Sequence, residues 1–205
     1  SRNLIFNQCR FSGNQAYVIA DHTSGARGGA FVRNSSNVVF SGSWFSNNDA
    51  WGSQHYSRGL GGGLYTEGSW VQVWECFFSS NLARTSGGDP SYAWAYGAGL
   101  YVQSGTLQMG RTVVHSNLVS ASRMAARGGG LYINSGTVLM TNVLVTTNRT
   151  VSSGTSEGSG IYLAAGTATL VNVTVANNLK EGIRRVTGTL AITKSILWYN
   201  GFRDV

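Results

Sequence analysis

The acidic side chains are the groups of this sequence that could catalyse hydrolysis or elimination, and they are few. Two carboxylates held ~5–10 Å apart could act as a glycosidase pair. Aspartates clustered around calcium beside a Lys or Arg base would suit a polysaccharide lyase. The acids share no position of the repeat described below, so we expect no catalytic residues. The eight acids are Asp21, Asp49, Asp89, Asp204, Glu67, Glu75, Glu157 and Glu181.

Cysteine and histidine form no metal-binding or nucleophile motif. Cys9 and Cys76 occupy the same repeat position two repeats apart, which separates them by about 9.6 Å. A disulfide needs Cα atoms within ~7 Å, so we expect two free, buried thiols. His22, His55 and His115 lie on different repeats, and no HExxH, GxSxG or phosphate-loop motif occurs. We therefore predict no metal and no cofactor.

The charge balance limits the classes of partner. The chain has 15 Lys and Arg against 8 Asp and Glu, a formal net charge of +7. Apart from Arg184-Arg185, the basic residues are scattered, so no specific nucleic-acid site is indicated. No apolar run approaches the ~18 residues that span a membrane. We expect a protein partner or self-assembly, with a glycan as a further candidate.

An internal repeat governs the whole chain. Each unit begins with small residues and an aliphatic–aromatic pair, and an Asn follows 20 residues later. Asn14 and Asn200 extend the series at both ends, which predicts about seven units. The unit starts are GGAFV at Gly28, GGGLY at Gly61, GAGLY at Gly97, GGGLY at Gly128 and GSGIY at Gly158.

Each unit of about 21 residues contains three short runs rich in β-branched residues, which predicts strands rather than helices. The runs of the fifth unit are LYI, TVLM and VLVTT. Each strand should pair in parallel with its copy one turn away, as in a solenoid. We therefore predict an all-β, single-stranded parallel β-helix of about seven turns with three short strands per turn. We predict a right-handed coil because parallel crossover connections prefer that hand. Residues 1–205 form a single domain, expected to be part of a longer chain or of an assembly. The repeat places Phe31 in one core column with Leu64 and Leu100.

The repeated asparagines predict a ladder of stacked side-chain amides that hydrogen-bond from turn to turn. Asparagine also tolerates the left-handed conformation that bends a chain between faces. The ladder residues are Asn14, Asn48, Asn81, Asn117, Asn148, Asn178 and Asn200.

Several motifs match a known repeat. GGAF begins at Gly28, and Phe-x-x-Asn begins at Phe11, Phe45 and Phe78, drifting to Val-x-x-Asn at Val114. Over nearly the whole chain this resembles the GGA[IL] and FxxN repeats of polymorphic outer-membrane proteins and autotransporter passengers. The resemblance implies a right-handed parallel β-helix that is secreted or displayed on the cell surface, often as an adhesin. It does not imply one ligand.

The segment between each Asn and the next repeat start varies in length and is rich in aromatic and basic residues. We expect these segments to be loops that emerge along one edge, where repeat proteins often bind. Packing of the loops onto the rod is the alternative explanation for any single residue. The candidate contact residues are Trp51, His55, Tyr56, Arg58, Arg84, Tyr92, Trp94, Tyr96, Arg123 and Arg127.

The outward sides of two strands are unusually apolar for positions that face solvent. Strict alternation with the core columns places them outside. This predicts lateral packing against another chain or domain, with a folded-back loop or tail as the alternative. The same alternation turns a column of tyrosines, Tyr65, Tyr101, Tyr132 and Tyr162, outward as an aromatic stack. The candidate lateral interface comprises Trp44, Phe77, Val113, Leu144, Ile196, Val39 and Leu139.

Together these patterns predict a non-catalytic, extracellular or cell-surface module that is structural or adhesive. It would assemble through its apolar outer faces and open ends, and its aromatic and basic edge would contact a partner or glycan. A polysaccharide lyase or glycoside hydrolase of the β-helix fold is one alternative. A rigid scaffold subunit of a large complex is another.

Overall fold

A computed structural model describes residues 3–19, 25–53, 56–86, 93–201 and 205. Within these residues all regular structure is β, and every strand pairing is parallel. The chain forms a parallel β-solenoid with five complete turns. Each complete turn has five strands, and two shorter passes of the chain follow.

The strands follow one another around the coil in a fixed order. Turn 1 holds β1 Leu4–Asn7, β2 Arg10–Ser12, β3 Gln15–Val18, β4 Gly25–Arg27 and β5 Ala30–Arg33. Turn 2 holds β6 Val38–Ser41, β7 Trp44–Ser46, β8 Asp49–Gly52, β9 Arg58–Leu60 and β10 Leu64–Glu67. Turn 3 holds β11 Ser69–Trp74, β12 Phe77–Ser79, β13 Leu82–Thr85, β14 Trp94–Tyr96 and β15 Leu100–Val102.

The later turns keep this order until the chain shortens. Turn 4 holds β16 Gly105–Gly110, β17 Val113–His115, β18 Leu118–Ala121, β19 Ala125–Arg127 and β20 Leu131–Ile133. Turn 5 holds β21 Thr137–Thr141, β22 Leu144–Thr146, β23 Arg149–Ser152, β24 Thr155–Glu157 and β25 Ile161–Leu163. The shorter passes hold β26 Thr167–Val171, β27 Thr174–Ala176 and β28 Ile183–Arg185, then β29 Thr189–Thr193 and β30 Ile196–Trp198.

Corresponding strands stack into five sheets. Sheets A and B contain seven strands each, from β1 to β29 and from β2 to β30. Sheet E contains six, from β5 to β28. Sheets C and D contain five each, from β3 to β23 and from β4 to β24. The prediction of three strands per turn is therefore wrong, because the variable segments, expected to be loops, supply two further strands in each complete turn.

Sheets A, B and E enclose the main hydrophobic core. Stacked phenylalanines fill its first turns, with the ring centroids of Phe45 and Phe78 4.4 Å apart. Smaller aliphatic residues fill the later turns, where Val145 and Val175 replace them in the same column. The columns expected from the repeat thus form a continuous core along the rod.

Sheets C and D pack against each other as a thin projection from the rod, which we call the fin. Its interior is a separate cluster of small residues, with Ala83 and Ala95 fully buried. At the last turn of the fin the interior positions become Thr150 and Ser156, and Thr150 Oγ1 lies 2.8 Å from Ser159 Oγ. Polar residues thus close the fin where the rod continues without it, as terminal repeats of solenoids do.

The tyrosine column does point away from the main core, but it is not exposed to solvent. Tyr65, Tyr101, Tyr132 and Tyr162 are 2–5 % exposed, and adjacent rings are stacked with centroids 4.9 to 5.1 Å apart. They form a third cluster with Leu60. The expectation of an outward-facing column is corrected because the last residues of the sheet D strands pack over these rings. Arg27 lies 4.5 Å from the Tyr65 ring centre, and Tyr96 stacks on Tyr132 with centroids 4.6 Å apart.

The register of Phe31 also differs from the repeat alignment. Ala30 pairs with Leu64, and Phe31 pairs with Tyr65, so Phe31 begins the tyrosine column instead of filling the main core. Between the register partners Arg33 and Val38 the chain has four residues, one more than between their counterparts Glu67 and Val71 in turn 2. Asn34 and Asn37 accommodate that residue with positive φ angles of 48° and 56°.

The seven ladder asparagines form a continuous chain of hydrogen bonds from Asn14 to Asn200. In each step the backbone N–H and the Nδ2 of one Asn both donate to Oδ1 of the next, as Asn81 does to Asn117 at 3.0 and 2.9 Å. The left-handed conformation belongs to the residue before each ladder position, such as Ser80 with φ of 55°. The ladder Asn itself turns its amide inward, and its neighbour bends the chain.

Candidate functional site

Three surfaces could contact a partner: the sheet C face of the fin, the sheet D face of the fin, and the outer face of sheet B. On the sheet C face, Trp51 lies between Tyr17 and Arg84. The Trp51 and Tyr17 centroids are 4.5 Å apart, and the Arg84 guanidinium lies 4.1 Å from the Trp51 ring centre. Arg84 also donates to Asp49 at 2.7 Å. This half-buried cluster crosses three turns and stabilises the fin.

The sheet D face carries a second aromatic and basic cluster. Arg58 lies 5.1 Å from the ring centre of Trp94, and its buried Nε has no hydrogen-bond partner. Arg127 donates to Glu157 at 2.9 Å and lies 5.2 Å from the Tyr162 ring centre. Most of these side chains therefore contact one another, and Arg58, Trp94 and Arg127 remain only half-buried.

Burial beneath the fin raises the pKa values of the stacked tyrosines. Burial raises the pKa of Tyr96 to about 12, and it raises the pKa values of Tyr101 and Tyr132 still further above the ordinary range. These phenols stay protonated at any physiological pH. Their rings pack against one another, and the Tyr101 hydroxyl donates a hydrogen bond to Gln103 Oε1 at 2.8 Å.

The other candidates at this edge are divided between exposed residues and residues outside the described part of the chain. Tyr56 is 38 % exposed, and Arg123 is exposed in the turn between β18 and β19. His55 and Tyr92 lie outside the described residues. The structure therefore brings the described candidates onto one fin but distributes them over both of its faces.

The described carboxylates are engaged by cations or by backbone amides. Glu75 pairs with Arg111 at 2.8 Å, Glu67 pairs with Arg33 at 3.4 Å, and Glu181 accepts from the Gly158 amide at 2.9 Å. Asp21, Asp89 and Asp204 lie outside the described residues. No group of three or more His, Cys, Asp or Glu suited to a metal ion occurs in the described part of the chain.

Both cysteines are free, but they differ in burial. Cys76 is fully buried, and burial raises its thiol pKa to about 11. Cys9 is only half-buried, which corrects the expectation of two buried thiols, because within the described residues the strands of turn 1 are edge strands with a stacked turn on one side only. A protonated, buried thiol such as Cys76 is a poor nucleophile.

The outer face of sheet B is apolar along the rod. Trp44 is 45 % and Phe77 39 % exposed, and their rings are stacked with centroids 5.8 Å apart. Val113 and Leu144 continue this column as half-buried residues, the polar Thr174 interrupts it, and Ile196 ends it 59 % exposed. No described segment folds back over it, so the alternative of a covering loop has no support among the described residues.

Sheet A presents a less regular outer face. Leu139 is 36 % exposed and Val39 is half-buried, but Gln72 and Gln108 lie between them in the column. Trp70, which the sequence analysis did not single out, is 47 % exposed beside them. The apolar column of sheet B is therefore longer and less interrupted than that of sheet A.

A recess of about 540 Å³ lies beside Trp44. Ser46 and Ser79 line it on one side, and Gln8 and Arg10 line it on the side of the first turn. The surface is recessed at the serines because their side chains are small, and the larger Trp44 side chain borders the recess. The residues two positions after the lateral column are serines in the first three turns, Ser12, Ser46 and Ser79, and this recurrence could have been recognised in the sequence.

The structure has no helix, within the described residues, of the length and apolarity needed to cross a bilayer. Comparison with family models, with curated proteins and with solved structures finds no match to this chain.

Proposed function

We propose that this chain is a non-catalytic structural or adhesive β-helix module that makes lateral contacts through the outer face of sheet B. The observation that carries the proposal is the uncovered column from Trp44 to Ile196, which is apolar apart from Thr174. Large apolar side chains exposed in a contiguous patch mark interaction surfaces in soluble proteins. The rest of the rod surface has no described column of comparable length.

The fin supplies the second contact surface in this proposal. Arg58 beside Trp94, and Trp51 beside Arg84, present mixed aromatic and cationic groups that suit a protein partner or the rings of an anionic glycan. We place the module outside the cell or on its surface, in a right-handed coil, as the repeat resemblance implies. The engaged state of the described carboxylates favours this role over a hydrolase or lyase.

A scaffold subunit of a large complex would use the same lateral face. The two roles differ in what covers Trp44 and Phe77, which is another protein in a complex and a further copy in a self-assembling module. The first measurement is therefore the native mass of the isolated protein.

We expect light scattering and negative-stain microscopy to show species larger than the 21.8 kDa chain. Trp44→Asp combined with Phe77→Asp should reduce the mass to that of a monomer without changing the far-UV circular dichroism, because both side chains point away from the core. Thr141→Asp, an exposed change on sheet A, is the matched control. A wild-type protein that stays monomeric would overturn lateral self-assembly and direct attention to the fin.

A further inference from the structure

The outer side of sheet D and the adjoining outer column of sheet E carry an excess of positive charge. These three columns, which we call the corner face, contain four arginines and a single acid, Glu157. That acid pairs with Arg127 at 2.9 Å and with Arg184 at 3.6 Å. Among the described residues, no acid pairs with Arg27 or Arg58. The corner face comprises Gly25, Arg58, Trp94, Ala125 and Thr155, then Arg27, Leu60, Tyr96, Arg127 and Glu157, and then Phe31, Tyr65, Tyr101, Tyr132, Tyr162 and Arg184.

Cationic and aromatic side chains alternate along the corner face. Arg58 of turn 2 shares a column with Trp94 of turn 3, and its guanidinium lies 5.1 Å from the Trp94 ring centre. Arg127 of turn 4 shares the next column with Tyr96 of turn 3, and its guanidinium lies 6.0 Å from the Tyr96 ring centre. The two cations are therefore two turns, or ~9.6 Å, apart along the rod, with two aromatic residues in the turn between them.

Both cations lie near the Tyr96 hydroxyl. Burial raises the pKa of Tyr96 to about 12, and the nearby charges of Arg127 and Arg58 act in the opposite direction. The hydroxyl therefore stays protonated at neutral pH and can donate a hydrogen bond to an anion. The inner nitrogens of both arginines are directed into the protein, since Arg58 Nε is buried and Arg127 Nε donates to Glu157. An anion would therefore approach the terminal nitrogens of the two guanidinium groups.

We propose that the corner face binds an acidic polysaccharide that runs along the rod from Arg58 to Arg127. This inference rests on the proposed function of the fin and adds the class of ligand and its place. Two linked pyranose rings are comparable in length to two turns of the rod, so a chain of alternating acidic and neutral sugars presents carboxylates at the required spacing. Each carboxylate binds one guanidinium through charge-assisted hydrogen bonds. The neutral sugar between them contacts Trp94 and Tyr96.

The chemistry of the site favours a sugar chain over a protein. The described residues between Arg58 and Arg127 include no exposed large apolar side chain, because Leu60 and Tyr101 are buried beneath the face. A protein interface has its energetic centre at such an anchor. Sugar rings instead pack their C–H faces against half-buried aromatic rings and fix their position through the charged groups on either side.

Calorimetric titration with an octasaccharide of hyaluronate, which alternates glucuronate and N-acetylglucosamine, tests the site. We expect the wild type to bind with a dissociation constant on the order of 100 µM. Arg58→Gln and Arg127→Gln should each weaken binding about tenfold, since each removes charge-assisted hydrogen bonds. Arg149→Gln is the matched control, because it removes the same charge from an exposed position of sheet C and should leave binding unchanged. A neutral hexasaccharide of N-acetylglucosamine should not bind.

Glu157→Gln tests the site in the opposite direction. Glu157 competes with the ligand for Arg127, so its neutralisation should tighten binding by a factor of up to about five. Misfolding cannot produce tighter binding, and far-UV circular dichroism checks the two arginine variants for a native fold.

Each result has a separate meaning. A wild type that does not bind hyaluronate, or natively folded Arg58→Gln and Arg127→Gln variants that bind as well as Arg149→Gln, would overturn the corner face as the site. A thymidylate oligonucleotide of equal charge that binds as tightly as hyaluronate would overturn its selectivity for a sugar chain. Loss of hyaluronate binding leaves lateral assembly through sheet B standing, and a monomeric wild type leaves the corner face standing, so the two proposals fail separately.

Discussion

Each ladder asparagine of the interior uses its side-chain amide in two directions. Asn117 Oδ1 accepts from the backbone N–H and the Nδ2 of Asn81, while its Nδ2 donates to Phe78 O and to Asn148 Oδ1 at 3.0 Å. Asn48, Asn81, Asn117 and Asn148 are fully buried. A buried polar group is stable only while these partners are present, so the ladder is required at every interior turn.

We predict that Asn117→Ala lowers the free energy of unfolding by about 2–4 kcal/mol, because donors of Asn81 and the Phe78 carbonyl lose their partners inside the rod. Urea denaturation measures the loss. Asn14→Ala is the matched control, since Asn14 is exposed at the end of the ladder and should cost about 1 kcal/mol or less. Equal losses at the two positions would contradict a ladder whose strength depends on burial.

At the scale of the element, sheets C and D of the fin can approach closely because the residues between them are small. A Cβ atom at Gly59 would lie 2.5 Å from Ala50 O and 2.6 Å from Arg84 N. These are backbone atoms of the facing sheet, so a rotamer change cannot relieve the clash. Alanine occupies the neighbouring positions of the column for the same reason, because sheets C and D approach more closely than sheets with larger side chains do.

We predict that Gly59→Ala destabilises the protein by about 2–3 kcal/mol through this overpacking. The near-ultraviolet circular dichroism of the adjacent Trp51 and Trp94 should change with it. Gly13→Ala is the control, because a Cβ there meets nothing within 4 Å and only the φ of +68° is unfavourable; its cost should be about 1 kcal/mol. A fin that tolerates Gly59→Ala as well as Gly13→Ala would show that sheets C and D can separate.

At the scale of the whole molecule, the rod and the fin are separable structures. After turn 5 the chain connects β27 of sheet B to β28 of sheet E through residues 177–182, and the rod continues through β26–β30 without a fin. The main core is continuous across this step, with Val145 and Val175 in one column. The rod therefore does not need the fin to close each turn.

We predict that replacing residues 149–157 with Leu-Lys-Glu, the sequence that replaces the fin at residues 179–181, preserves the rod. The far-UV circular dichroism should stay β-rich. The melting temperature should fall by roughly 5 °C, because the last fin strands, β23 and β24, no longer pair with β18 and β19. Val151→Ser, at an exposed position of β23, is the control and should be nearly neutral. A shortened chain that fails to fold would show that the fin is part of the folding unit.

The periodic residues of the sequence were sufficient to predict the all-β solenoid. Apolar columns at constant spacing and an Asn at the end of each unit leave few other arrangements, because each column must stack on its own copy. The ladder and the stacked phenylalanines follow from that rule. The candidate residues Trp51, Arg84, Arg58 and Trp94 were identifiable by composition, although nothing in the pattern indicated that Arg84 would pack on Trp51 and Arg58 on Trp94.

Only the tertiary structure determined what the variable segments do. Their lengths differ, so an alignment of the repeats reads them as loops, whereas Ala50, Ala83 and Ala95 allow two sheets to close on each other as a fin. Burial of Tyr101 and Tyr132 follows from that closure, since alternation along a strand states which side a residue faces but not what covers that side. The sequence by itself determined the periodic core, because stacking constrains each turn locally. The covered and uncovered faces were decided by long-range packing between segments that the repeat does not relate.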